Sequence, residues 1–256
     1  MKRMVNRGCL GLAALLLLAA AVPAQGQART GWRVEYDEAQ GSESVHIRQF
    51  LEQSNALDAT ARWMSYWVSL PRPLTLRTME CATSEVRWVP EEATLQVCYR
   101  MLVRLSGLLL VEDSTRAAWA PALNYVLLHG MAHAMVDEMN LPAPNGEERA
   151  VDELMALMLV PAGGERGSWV LNGMRTLQRA DARWSEWEHA RTHQLTPERV
   201  ETVACLAYGA NPPVFPEYRR HGLIPAARAG GCAAAYQRVA NGLGRRLEPR
   251  MRDRQP

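Results

Sequence analysis

The stretch HGMAHAMVDEMNLPAPNGEERAVDELMA, residues 129–156, carries the reading of this chain. His129 and His133 are four residues apart. On a helix such residues share a face, with Cβ atoms roughly 5–6 Å apart, so the pair can chelate one ion from a single rigid element. LPAPNG (141–146) stops that helix. EERAVD (147–152) opens another, with Glu148 and Asp152 again four apart. A helix, a short turn and a returning helix bring both pairs to one place. Zinc in a hydrolase usually takes three protein ligands and leaves a fourth position for water. Glu148 is the third ligand in this reading. Asp152, one turn on, accepts a hydrogen bond from a ligand histidine and fixes its ring orientation.

The usual zinc-hydrolase signature on such a helix is H-E-x-x-H, whose Glu is the general base. Gly130 stands in its place. Ligation does not use that Glu, so a metal site can outlast its loss. Glu138 lies eight residues on, roughly 12 Å along a helix. Asp137 is about as far from His129, and Glu147 points off the Glu148 face. None replaces the base. Glycine inside a helix costs about 1 kcal/mol against alanine. Close approach of a ligand or side chain explains it, and so does drift after loss of selection. Each element also has a bland reading: the four-residue histidine spacing recurs at His189 and His193, and acids are common in a helix's first turn.

Outward from this stretch, the chain divides. GWRVEYDEA (31–39) reads as a strand, and SVHIRQFLEQSNALDATARWMSYWVSL (44–70) as one helix with apolar residues at helical spacing. LTLRTMEC (74–81) alternates like a strand. EVRWV, PEEA and TLQVC (85–98) read as an antiparallel hairpin. Beyond Cys98 the pattern is helical: a short helix from Tyr99, then a long one over 114–140, with Ser114 as cap and Pro121 as kink or true start. A helix from Glu147 ends at PAGG (161–164). RWSEWEHAR (183–191) reads as an amphipathic helix face, and breaks fall near 195–197, 209–216 and 222–231. A small antiparallel sheet or hairpin followed by a mostly helical body is an α+β pattern.

Residues 1–28 read as a secretory signal peptide: a basic start, an apolar core and small residues before a cleavage point at Ala24 or Ala28. Residues 29–256 then form a single domain, exported to the periplasm or secreted. No later run is long and apolar enough to span a membrane. The leader holds Lys2, Arg3 and Arg7 and no acid, so 26 of the 29 bases remain against 27 acids. That balance argues against nucleic acid as a partner. Cys81, Cys98, Cys205 and Cys232 remain, an even number that suits two disulfides after export. Three pairings exist. Cys81–Cys98 and Cys205–Cys232 are favoured because each brackets a compact stretch; four free buried thiols are the alternative.

Several of these segments in one order resemble a family of secreted bacterial proteins described as "putative metallopeptidase". The likeness covers most of residues 40–250 and runs through the Cys81-to-Cys98 spacing ending in CYRML, the 129–156 stretch, HQLTPERVETVACLAYGANP (193–212) and GLIPAARAGGC (222–232). The resemblance implies a zincin-like fold with His129, His133 and Glu148 as zinc ligands and Asp152 behind them. It also singles out His193; a histidine opposite the metal helix can hydrogen-bond a developing oxyanion, and a surface or capping histidine just before the break at Leu195–Pro197 is the alternative reading. The function it implies is zinc-dependent peptide hydrolysis, impaired or lost because of Gly130. One alternative is a non-catalytic pseudoenzyme that holds a peptide or protein in the old cleft. Another is a disulfide-stapled helical protein without metal.

Overall fold

A computed structural model describes residues 30–112, 118–180 and 193–252 of the chain. The leader, the cap at Ser114, and the RWSEWEHAR segment with His189 lie outside these residues. The described elements are β1 (Trp32–Tyr36), α1 (Ser42–Ser54), α2 (Ala56–Trp67), β2 (Leu74–Met79), β3 (Val86–Val89), β4 (Thr94–Cys98), α3 (Tyr99–Glu112), α4 (Trp119–Glu138) and α5 (Glu147–Arg179). They continue with α6 (Pro197–Ala210), α7 (Pro216–Arg220), α8 (Ala226–Ala229) and α9 (Cys232–Val239). The fold is α+β, a small sheet followed by a helical body.

The sheet is mixed rather than antiparallel throughout. Its order is β1-β2-β4-β3. The β3–β4 hairpin is antiparallel, whereas β1–β2 and β2–β4 are parallel. The parallel pairing follows from the helices α1 and α2, which carry the chain from the end of β1 back to the start of β2; a parallel pair needs such a crossover. The predicted helix over 44–70 is two helices, because Asn55 sits in the left-handed region (φ 51°) between them. Asparagine tolerates that region better than most residues.

The core joins sheet to helices. Every residue of β4 is buried, as are most of α4, including Leu127, Leu128, Met131, Ala132 and Met135. A helix apolar all round belongs inside a protein, and α4 lies beneath β3 and β4 with α5 returning along it. The turn between them is tightly specified. Asn140 takes a left-handed conformation (φ 49°) and Leu141 N–H bonds back to the Val136 carbonyl at 2.8 Å, a Schellman-type ending. Within α5 two helices meet at Gly163, whose φ of 82° and ψ of 172° are not helical, so PAGG ends the first of them as expected.

Both disulfides pair as favoured. Cys81–Cys98 ties the end of β2 to the last residue of β4, and Cys205–Cys232 ties α6 to α9. No helix among the described residues is long and apolar enough to cross a membrane.

Candidate metal centre

The α4–α5 turn does what its spacing suggests. His129 Nε2 lies 3.2 Å from His133 Nε2. Glu148, in the first turn of α5, places Oε1 3.1 Å from His133 Nε2 and Oε2 3.4 Å from His129 Nε2. Two ligands at the usual zinc–nitrogen distance and a tetrahedral angle stand roughly 3.3–3.4 Å apart. The two histidine nitrogens are close to that edge, and the Glu148 carboxylate faces both, one oxygen toward each ring. Imidazole nitrogen and carboxylate oxygen are also the donors zinc favours. Two imidazole nitrogens converging on a carboxylate need a cation or a shared proton between them. The residues present therefore fit a metal ion.

The electrostatics are of the same kind. His129 is fully buried, and burial, then the neighbouring His133, push its pKa well below the usual imidazole value. A neutral ring is the ligating form. Burial also opposes charge on His133, but hydrogen bonds to Glu148 and Glu147 outweigh it and raise its pKa. For Glu148, burial works upward, yet hydrogen bonds from His133 and His193, with the charges of His129 and Arg199, hold its pKa far below the carboxylate range. Glu148 is thus an anion surrounded by groups that can carry positive charge.

Supporting contacts differ from the expected ones. Asp152 does not orient a ligand histidine. It accepts a two-point fork from Arg199, Nε to Oδ2 at 2.8 Å and Nη2 to Oδ1 at 2.7 Å. The planar guanidinium matches a carboxylate's two oxygens. The same Nη2 is 2.7 Å from Glu148 Oε2. Asp152 therefore supports the ligand carboxylate through Arg199. The carboxylate on a ligand ring is Glu147, whose Oε1 is 2.6 Å from His133 Nδ1. That contact assigns the proton to Nδ1 and turns the Nε2 lone pair inward. Sequence reasoning weighed Glu147 only as a substitute base and gave Arg199 no role. The signal for Glu147 was its place at the mouth of the turn; nothing pointed to Arg199 beyond its helix start, where Thr196 caps by accepting from the Arg199 N–H.

His193 stands within the donor cluster, not across the cleft. Its Nδ1 is 2.6 Å from Glu148 Oε1 and 3.5 Å from His129 Nε2. One donor atom from each of His129, His133, Glu148 and His193 lies within 4.8 Å of the others.

Gly130 has a packing reason. A Cβ there would meet Val86 Cγ1 at 2.9 Å and both Leu95 δ-carbons at 3.2 Å. A side chain at 130 would therefore require the Val86 and Leu95 side chains of the hairpin to shift. Neither other acid on α4 replaces the base: Asp137 accepts from Trp88 Nε1 at 2.8 Å, and Glu138 is engaged by Arg72 at 3.0 Å. The cleft, about 280 Å³, is bordered by residues 85–88 and Leu95 on the sheet side, and by His129, Gly130, His133, Glu147 and His193 on the other.

Comparison with known proteins agrees with this geometry. Residues 36–243 match a family described as "Putative metallopeptidase". That is most of the chain, and the chain belongs to this family. No curated protein and no solved structure matches it.

Proposed function

We propose that this is an exported member of the metallopeptidase family that holds one zinc ion through His129, His133 and Glu148 and has lost the proton-transfer half of peptide hydrolysis. When bound, zinc supplies Lewis acidity and lowers the pKa of a coordinated water. The chain's own residues then define what is left. Glu147 holds His133 in its ligating tautomer, Arg199 holds Glu148, and Tyr125 lies against His129 with ring centroids 5.5 Å apart. No carboxylate stands at position 130 to take a proton from water and pass it to a leaving amine. Positioned proton transfer contributes roughly 10²–10⁴-fold, so any residual activity is weak.

The observation that carries this reading is the convergence of His129, His133 and Glu148 beside position 130, where glycine offers no side chain. Export rests on the leader-like residues 1–28 and on the two disulfides, which persist in oxidising compartments.

A second reading, a peptide-binding protein without catalysis, has its own support. Among the described residues β3 pairs on one side only, with β4, and it borders the cleft. A strand edge of this kind can take an extended peptide as an added strand. The test is hydrolysis of a mixed peptide substrate by zinc-loaded protein lacking residues 1–28, beside equilibrium binding of the same peptides. Binding with little or no cleavage is expected. Turnover in the ordinary range of metallopeptidases, abolished by His133→Ala, would overturn the loss of function.

A further inference from the structure

We propose that His193 is a fourth protein ligand and closes the metal site, so that the position a hydrolase leaves to water is occupied by the protein itself. This rests on the metal-site reading above and goes beyond it. A catalytic zinc keeps an open position, whereas a structural zinc is held by four protein ligands in a tetrahedron. The structure supplies four donors. His129 and His133 come from α4, Glu148 from α5, and His193 from the segment just before α6.

Three observations carry the assignment. First, the His193 Nδ1 lies 3.5 Å from His129 Nε2, close to the roughly 3.3–3.4 Å edge of a zinc tetrahedron. Its 2.6 Å approach to Glu148 Oε1 is a direct hydrogen bond between two groups that a cation would bridge. Second, the ring is packed edge-on against both other ligand rings, with centroids 5.2 Å from His129 and 4.6 Å from His133. A residue waiting for a substrate oxyanion would stand further off, across the substrate. Third, the backbone beside His193 is tethered. Arg199 donates from Nη1 to the Gln194 carbonyl at 2.9 Å while its other nitrogens hold Asp152 and Glu148. One guanidinium thus fixes both the third and the fourth donor.

The four-donor cluster and the absence of a side chain at Gly130 point the same way. Without an open position there is no metal-bound water for a base to activate. A bound ion would then be held as a clamp by His129 and His133 of α4, Glu148 of α5 and His193 just before α6.

The test replaces zinc by cobalt(II) and follows its visible absorption while azide is added, in the wild type, His193→Ala and His193→Gln, each checked for fold by thermal melting. The expected wild-type spectrum is that of a four-coordinate ion and does not respond to azide. Both His193 variants still take up the metal, but their spectra shift with azide as the anion enters the vacated position. An azide response in the wild type equal to that of the variants would overturn the fourth-ligand assignment. So would variant spectra that match the wild type. A wild type that takes up no cobalt, with His133→Ala behaving identically, would instead sink the underlying metal site and this inference with it.

Discussion

The cleft has two walls, and they have fared differently. On the helical wall, α4 and α5 present His129, His133 and Glu148, and two of them are backed by a further contact: Glu147 on His133 and Arg199 on Glu148, with Asp152 in turn on Arg199. On the sheet wall, the β3–β4 hairpin presses Val86 and Leu95 against Gly130, where the signature base of such sites would stand. The helical wall is polar and interlocked. The sheet wall mixes Glu85 and Arg87 with Val86, Trp88 and Leu95, and its apolar side chains are the ones nearest Gly130. Metal ligation and proton transfer use different positions of the same helix, His129 and His133 for one and position 130 for the other, so one can be lost while the other is kept.

The largest effect should come from the helical wall. Arg199→Ala leaves Asp152 and Glu148 without their shared cation, and Asp152 is only 2% exposed. Removing one partner of a buried charge pair costs about 3–5 kcal/mol. Urea unfolding of the metal-free protein should show a loss of this size. A change below about 1 kcal/mol would mean the network is dispensable.

The sheet wall comes next. Gly130→Glu forces a β-carbon against Val86, and overpacking of this kind costs about 1–3 kcal/mol. Val86→Ala in the same chain should recover part of that loss, a coupling read by a double-mutant cycle. Additive effects would show that the hairpin does not confine position 130. Restoring the glutamate alone is therefore not expected to restore hydrolysis.

A smaller effect concerns Glu147. Glu147→Gln should weaken zinc binding about 10–100-fold, the usual consequence of losing a carboxylate on a ligand imidazole. Its pH dependence has a definite sign. The folded-state pKa of His133 is raised, so its protonated form stabilises the metal-free protein below the ordinary imidazole value, and that contribution is lost as pH rises through the raised pKa. Metal must displace that proton, so affinity climbs across the same window. Calorimetry in buffers of different ionisation enthalpy should register the proton released. An affinity flat across that window would contradict the assignment of His133 as ligand.

What was legible in the sequence was local. Four-residue spacings put His129 with His133 and marked Glu148 on the returning helix, and a Leu-Pro turn brought the two helices together. The hairpin and its disulfide were legible because strand, turn and strand are contiguous. What was hidden depends on distant approach. Nothing near Gly130 reveals that Val86 and Leu95 will cover it. The parallel pairing of β1, β2 and β4 is set by crossovers and not by the strands' own patterns. The break at Asn55 hides within an unbroken apolar periodicity. The exchange of partners, Asp152 to Arg199 and His133 to Glu147, turns on where α6 docks and how side chains at the turn reach, which spacing alone does not encode.

The account rests on one ion held between α4 and α5. The direct measurement is metal content per mole of protein lacking residues 1–28, purified under zinc-replete conditions, beside His133→Ala and Glu148→Gln. The prediction is close to one zinc in the wild type and little or none in either variant, with the fold retained. A correctly folded wild type without metal would contradict it, and the cluster of His129, His133, Glu148 and His193 would then be a hydrogen-bonded polar core.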